Sequence, residues 1–200
     1  MTKALIFDMG DVLCSGSSPK SRQAWEKRLH LPDGEIGRIV FHHPLAPGLV
    51  LGTGHPDELF EAVGKDLELN ESEWRQLEED FWGEPDWNCD LFDYIYSLKS
   101  RYKLGVLSDA WITTREKVIE RINSDVFDVI IFSAESGIGK PDPASYQAVL
   151  KRMGVIAAEA VFVDDRLKNA EGARNIGMPA LQYAWGMGIQ REIEQVTGEF

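Results

Sequence analysis

The chain has 200 residues, 44% of them hydrophobic and 27% charged, and a formal net charge of −12. This composition suits a globular α/β protein long enough for a sizeable core and an insertion. The acidic balance, without a block of basic residues, argues against nucleic acid as a partner, and no apolar run is long enough to span a bilayer. A small phosphorylated ligand stays open, because it needs only local positive charge.

The first expected element is a strand. Ala4-Leu5-Ile6-Phe7 is a short apolar run leading into Asp8, with Gly10 two residues on. Such a run reads as a strand buried on both faces. A strand beginning at residue 4 leaves no signal peptide ahead of the fold. Cys14 and Cys89 make no disulfide framework. Both observations point to a cytoplasmic protein.

The next strand is expected at Leu104–Ser108, far beyond the reach of a simple crossover. Helical patterns fill the interval at 19–30, 34–41, 56–66 and 71–82, and Asn70 with Glu73 forms a capping-box start for the last of them. The stretch from Pro44 to Gly54 reads as a punctuated loop. Gly16, Ser17 and Ser18 suit a hinge. The expected division is a core of residues 1–14 and 88–200 with a helical cap of residues 15–87. A helix near 88–100 returns the chain to the core.

Beyond it, strands are expected at Val129–Phe132, Val161–Asp164 and Ala180–Tyr183. Helices are expected at Thr113–Asn123, at Pro143–Met153 with Asp142 as N-cap, and at Leu167–Ile176 ending at Gly177. This alternation predicts an α/β fold with a doubly wound parallel sheet, a Rossmann-like core.

In such sheets ligands bind beyond the carboxyl ends of the strands, at the switch point in strand order. Asp8, Ser108 and Asp164 all sit at expected strand ends, and Lys140 follows the third strand. Any one of them alone reads as a loop cap. Four in this order converge on one crevice.

The segments Phe7-Asp8-Met9-Gly10-Asp11-Val12-Leu13, Val106-Leu107-Ser108-Asp109, Gly139-Lys140-Pro141 and Phe162-Val163-Asp164-Asp165 resemble the motifs of the haloacid dehalogenase-like hydrolase superfamily. The resemblance covers essentially the whole chain. It is closest to the sugar-phosphate phosphatases whose helical cap follows the first strand. It implies that Asp8 attacks phosphorus to form an aspartyl-phosphate, while Ser108 and Lys140 clamp the transferring phosphoryl group. Met9, Gly10, Ser108, Asp109 and Lys140 would surround the substrate. Crowded carboxylates call for a cation, and magnesium takes hard oxygen ligands. By resemblance these are the side chains of Asp8 and Asp165 and the carbonyl of Gly10, with Asp164 a ligand or an outer partner. Asn169 would hold a metal-bound water or Lys140.

Two positions depart from the family pattern. Gly10 stands where an acid/base aspartate is usual, and Asp109 where asparagine is usual. A positioned acid is worth a hundredfold to ten-thousandfold in rate, about 3–5 kcal/mol. Its absence favours substrates whose leaving groups need little protonation, such as anomeric sugar phosphates or acyl phosphates. Asp11, Asp109 and a cap histidine are the candidate replacements, although Asp11 reads first as a turn-stabilising residue. An extra carboxylate at 109 would repel substrate unless it turns away or pairs with a cation.

His30, His42, His43 and His55 all fall in the insertion without metal-site spacing and read as surface or loop positions, with the alternative that His42 or His43 faces the crevice and contacts substrate. Trp25, Trp74, Trp82 and Trp87 read mostly as cap core. Glu78-Glu79-Asp80 reads as a solvated helix face. The leading expectation is a magnesium-dependent phosphatase acting on a small phosphorylated metabolite. Two alternatives stand beside it. A dehalogenase would use Asp8 on carbon without a metal, which leaves the Asp164-Asp165 pair without a purpose. A non-catalytic phospholigand-binding protein is kept open by Gly10. Neither the substrate nor the oligomeric state is legible.

Overall fold

The computed structural model describes residues 1–15, 19–83, 85–122 and 125–198. The expected hinge at Gly16, Ser17 and Ser18 lies outside these residues. Five strands form one parallel sheet: β1 (Ala4–Phe7), β2 (Lys103–Ser108), β3 (Val129–Phe132), β4 (Ala160–Asp164) and β5 (Ala180–Gln182). Their order is β3-β2-β1-β4-β5. The order reverses at β1, so the switch point lies between β1 and β4. Phe7 is in register with Val106 on one side and Val163 on the other.

The period of two along β1 divides the core. Leu5 and Phe7 join Leu104, Val106, Val161 and Val163 in a cluster closed by Leu91, Ile95 and Leu98 of α6 (Cys89–Leu98) and by Ile193 of α11 (Gln190–Thr197). Ala4 and Ile6 face the opposite cluster. That cluster is closed by Tyr146, Val149, Leu150 and Met153 of α9 (Pro143–Met153) and by Ala170 and Ala173 of α10 (Leu167–Asn175). Helices on both faces explain why the strands read as unbroken apolar runs.

Between β1 and β2 lie α1 (Pro19–Arg28), α2 (Glu35–His42), α3 (Ala46–Val50), α4 (Pro56–Asp66) and α5 (Glu71–Trp82). They surround a third apolar cluster that includes Trp25, Ile36, Val40, Leu59, Phe60, Trp74, Leu77 and Phe81. The Asn70–Glu73 capping box forms in both directions, at 3.1 and 3.0 Å. Where this insertion leaves and rejoins the sheet, its two connections are tied together. Ser15 N–H donates to Asp86 O at 2.8 Å, and Asn88 N–H donates to Leu13 O at 2.9 Å.

Several expectations are corrected. The stretch Pro44–Gly54 contains α3. The helix expected at Thr113–Asn123 is only α7, Thr114–Val118, and residue 123 is outside the described set. Thr113 makes no side-chain cap, and β-branched Val118, Ile119 and Ile122 favour helix weakly. The sequence reading missed α8 (Ser133–Ser136), a single 3-10 turn at Ala157–Glu159, and α11. Each is short, and α11 buries only Ile193. No helix among the described residues is long and apolar enough to cross a membrane.

Candidate active site

The carboxyl ends of β1, β2 and β4 bring the expected residues together. Asp8 follows β1, Ser108 ends β2, and Asp164 ends β4; all three are buried, as is Lys140 in the loop before α9. Lys140 Nζ lies 2.9 Å from Asp8 Oδ1 and 2.6 Å from Asp164 Oδ2. The Ser108 side chain, buried at the end of β2, favours the ionised form of the Asp8 carboxylate. Asp8 Oδ1 also accepts the Met9 N–H at 2.7 Å, so this amide is already occupied. In the turn after β1 the left-handed residue is Asp11, at φ 55, and its N–H donates to Cys14 O at 2.7 Å.

Asp164 has no exposed surface. Its Oδ1 accepts the Arg166 N–H at 2.8 Å and Asn169 Nδ2 at 3.0 Å, while Oδ2 takes Lys140 and a second contact with Asn169 at 3.1 Å. Asn169 therefore holds Asp164 rather than Lys140. Asp165 is half-buried; its carbonyl accepts Gln182 Nε2 at 3.1 Å. Carboxylate oxygens of Asp8, Asp164 and Asp165 all lie within 4.8 Å of one another.

Electrostatics follow from this crowding. Burial pushes the Asp8 carboxyl up, against the opposing pull of Lys140. Burial alone would lower the Lys140 ammonium, but Asp8 and Asp164 outweigh it and hold the proton more tightly than in water. Burial, then Asp8 and Asp164, push Asp165 up to about 6. A hard cation would relieve the charge that Lys140 leaves uncompensated, and an all-oxygen donor set fits magnesium. Asp8 and Asp165 offer carboxylate oxygens to it, whereas the Asp164 oxygens are taken by protein donors.

Asp109 does not face a substrate freely. Its Oδ1 accepts the main-chain N–H of Lys140 at 2.8 Å. Glycine at 172 lets α10 approach this loop: a Cβ there would stand 2.7 Å from both Pro141 Cβ and Tyr146 Oη. Tyr146 Oη donates to Asn169 O at 2.8 Å, tying the same region together. The segment around α3 leans on the neighbouring loop, since a Cβ on Gly52 would lie 2.1 Å from the Ala134 carbonyl oxygen.

Smaller signals resolve as local structure. His55 Nδ1 accepts the Asp57 N–H at the start of α4, and His43 Nδ1 accepts the Leu45 N–H. Asp80 is not simply solvated: it accepts Trp25 Nε1 at 2.9 Å. Trp87 packs on the sheet-side cluster, not among the insertion helices. A cavity of about 370 Å³ lies between Arg75, Glu78 and Trp82 of α5 and Thr113 and Lys117 at α7, and it does not include Asp8. The sequence reading passed over Trp111, Ser133, Tyr146 and Gly172. Of these, only Trp111 carries a signal, as an aromatic residue three positions after Ser108, just beyond the expected strand end.

A buried carboxylate–lysine pair at the switch point of a doubly wound sheet, with two further carboxylates beside it, defines an α/β enzyme core of the hydrolase kind. The chain belongs to the haloacid dehalogenase-like hydrolase family, whose profile matches residues 2–177. It is similar to a D-ribitol-5-phosphate phosphatase from Bacteroides thetaiotaomicron, with 26% identity across 96% of this chain and 97% of that one. It is also similar to a sesquiterpene phosphatase from Aspergillus oryzae, 40% identical over 37% of this chain; that match spans only 38% of the relative. The fold matches a solved family enzyme from B. thetaiotaomicron in complex with magnesium and inorganic phosphate (TM-score 0.77, 18% identity, 96% and 99% of the two chains). It also matches an L-2-haloacid dehalogenase from Xanthobacter autotrophicus (TM-score 0.69, 22% identity, 99% and 84%). At these identities the structures speak to fold alone.

Proposed function

We propose that the protein is a magnesium-dependent phosphatase acting on a small phosphorylated metabolite, with residues 15–87 serving as the cap over its site. The observation that carries this reading is the placement of Lys140 Nζ between Asp8 and Asp164, with Asp165 carrying charge that Lys140 does not balance. A dehalogenase has no use for the surplus carboxylates. The full-length likeness to a polyol-phosphate phosphatase supports a sugar-like phosphate as substrate.

In this reading Asp8, Asp165 and the Gly10 carbonyl would hold magnesium, which would supply neutralisation of phosphate charge. Asp164, saturated by Lys140, Asn169 and the Arg166 amide, fixes the lysine. Met9, Gly10 and Ser108 line the substrate's phosphate end, while the Asp109 side chain is turned to the Lys140 loop behind it. Lys140 and Ser108 set the Asp8 carboxylate; the Lys140 ammonium offsets charge on the phosphoryl oxygens, and the Ser108 hydroxyl donates a hydrogen bond to one of them. An Asp8 oxygen forms a bond to phosphorus as the bond to the leaving oxygen breaks, and that oxygen departs with the electron pair. Gly10 offers it no proton, so the proton comes from solvent or the leaving group stays anionic. Water then adds to phosphorus, the Asp8–phosphorus bond breaks, and phosphate is released.

The test is phosphate release from an aryl phosphate by wild type and Asp8→Asn, with magnesium and with chelator. Magnesium-dependent turnover that Asp8→Asn abolishes supports the reading. Turnover indifferent to chelator overturns the metal assignment, and a measured ligand affinity without turnover on a metabolite panel favours a binding protein.

A further inference from the structure

Residues 108–111 are consecutive, yet each is committed to a different part of the molecule. Ser108 ends β2, and its side chain favours the ionised Asp8 carboxylate. Asp109 holds the Lys140 amide at 2.8 Å. Ala110 packs in the sheet-side cluster, its N–H donates to Ser133 Oγ at 2.9 Å, and its carbonyl accepts the Ala134 N–H at 3.3 Å. Trp111, only 4% exposed, leaves that cluster and completes the apolar core of the insertion. Its ring stacks on Phe81 at 6.3 Å and meets Trp82 edge-on at 4.9 Å, with Phe60 at 6.3 Å. Among the described residues, every other member of that cluster, the partly buried Trp82 included, comes from residues 25–82.

The geometry follows from chain length. Three residues span at most about 10 Å when extended, so little slack separates the Trp111 ring from the Ser108 hydroxyl. Any shift of the insertion that carries the ring must be absorbed by Asp109 and Ala110. Both are pinned, one to the loop of Lys140 and the other to Ser133. Packed aromatic cores resist continuous deformation, so the ring follows the insertion and the strain reaches the two pins.

We propose that Trp111 is a positioning residue that couples the helical insertion to the phosphate clamp of Ser108 and Lys140. This rests on the phosphatase reading for its catalytic consequence, although the mechanical link does not. Placement of the insertion then sets how Ser108 and the Lys140 loop are aligned. Misplacement on the ångström scale reduces turnover by roughly ten- to hundredfold.

The test compares Trp111→Leu with Trp74→Leu, which thins the same cluster at a residue making no ring contact with Trp111. Two quantities are measured: kcat on 4-nitrophenyl phosphate with magnesium, and hydrogen exchange at the Lys140 amide. Trp111→Leu should accelerate that exchange and lower kcat, with Trp111→Phe restoring most of both. Trp74→Leu should lower the melting temperature and leave both readouts near wild type. If Trp111→Leu does not fold, Phe81→Leu, which removes the stacking partner from the insertion side, must give the same two changes. Exchange and kcat unchanged in Trp111→Leu, or changed equally in Trp74→Leu, overturn the coupling. Wild type without turnover on 4-nitrophenyl phosphate and on a metabolite panel would sink the phosphatase reading, while the exchange comparison would still decide the link.

Discussion

Asp109 accepts the main-chain N–H of Lys140 at 2.8 Å, so the carboxylate grips the loop that carries the site's buried cation. Burial pushes its carboxyl up, against the pull of Lys140. The feared repulsion of substrate is thereby reduced, because the side chain is turned to the loop. The acceptor function is what the loop needs, and asparagine can supply it. Asp109→Asn should therefore keep most of the activity. Asp109→Ala leaves a largely buried amide unpaired, at about 1–3 kcal/mol, and should lower both the melting temperature and kcat. Thermal unfolding and steady-state kinetics on the two variants check this; an alanine variant indistinguishable from asparagine in both would refute it.

The parallel sheet and the Asp8, Ser108, Lys140 and Asp164 cluster were legible because strands buried on both faces leave continuous apolar runs, and polar residues at their ends stand out. The capping box at Asn70 and the N-cap at Asp142 were legible because they are local: Asp142 Oδ1 accepts the Ala144 N–H at 2.9 Å. What the chain hid is long-range. Asn169 reads equally well as a partner of Lys140 or of a metal water, and only the approach of α10 to β4 assigns it to Asp164. Nothing local to Ser133 announces its bonds to Ala110. Trp111 was visible as a residue but not as a member of the insertion's core, because its partners are at least 29 positions away in the chain.

Glycine 172 is the point where α10 touches the Lys140–Pro141 loop. A Cβ would stand 2.7 Å from Pro141 Cβ, an atom of the rigid proline ring, and 3.2 Å from the main-chain carbonyl oxygen of the same residue. Gly172→Ala must push the loop or the helix aside, an overpacking cost of about 1–3 kcal/mol. The expected outcome is a lower melting temperature together with a lower kcat, because the displaced loop carries Lys140. Loss of stability with kcat intact would show that the loop yields without moving the lysine.

The two cysteines should differ sharply. Cys14 is buried behind the Asp8 turn, and burial, aided by Asp8 and Asp11, pushes its thiol up to about 12. Only thiolate reacts at a useful rate, so at pH 8 Cys14 is protected twice, by access and by charge. Cys89 is exposed at the start of α6. A thiol reagent should label one cysteine in the native protein and two in denaturant, with the native adduct mapping to Cys89. Rapid native labelling of Cys14 would mean that the turn after β1 opens readily.

Asp165 links pH to metal. In the metal-free protein its carboxyl sits at about 6, raised by burial and by Asp8 and Asp164, whereas an unfolded aspartate titrates near 4. The folded state therefore holds the proton longer. Linkage then makes the contribution of this group favourable at low pH and lost as pH rises from about 4 through about 6. Since the side chain is half-exposed, solvent softens the effect. Burial raises Asp8 and Asp109 in the same sense, while cationic partners lower Glu35, Glu61 and Glu159, so the quantity to measure is the difference between wild type and Asp165→Asn. Without magnesium, the stability of Asp165→Asn relative to wild type should increase as pH rises from about 4 to about 6. Adding magnesium should reverse the order above that range by favouring the ionised wild-type site. Denaturant unfolding of both proteins across the pH range, with magnesium and with chelator, reads this directly. A magnesium stabilisation of equal size in wild type and Asp165→Asn would remove Asp165 from the metal site.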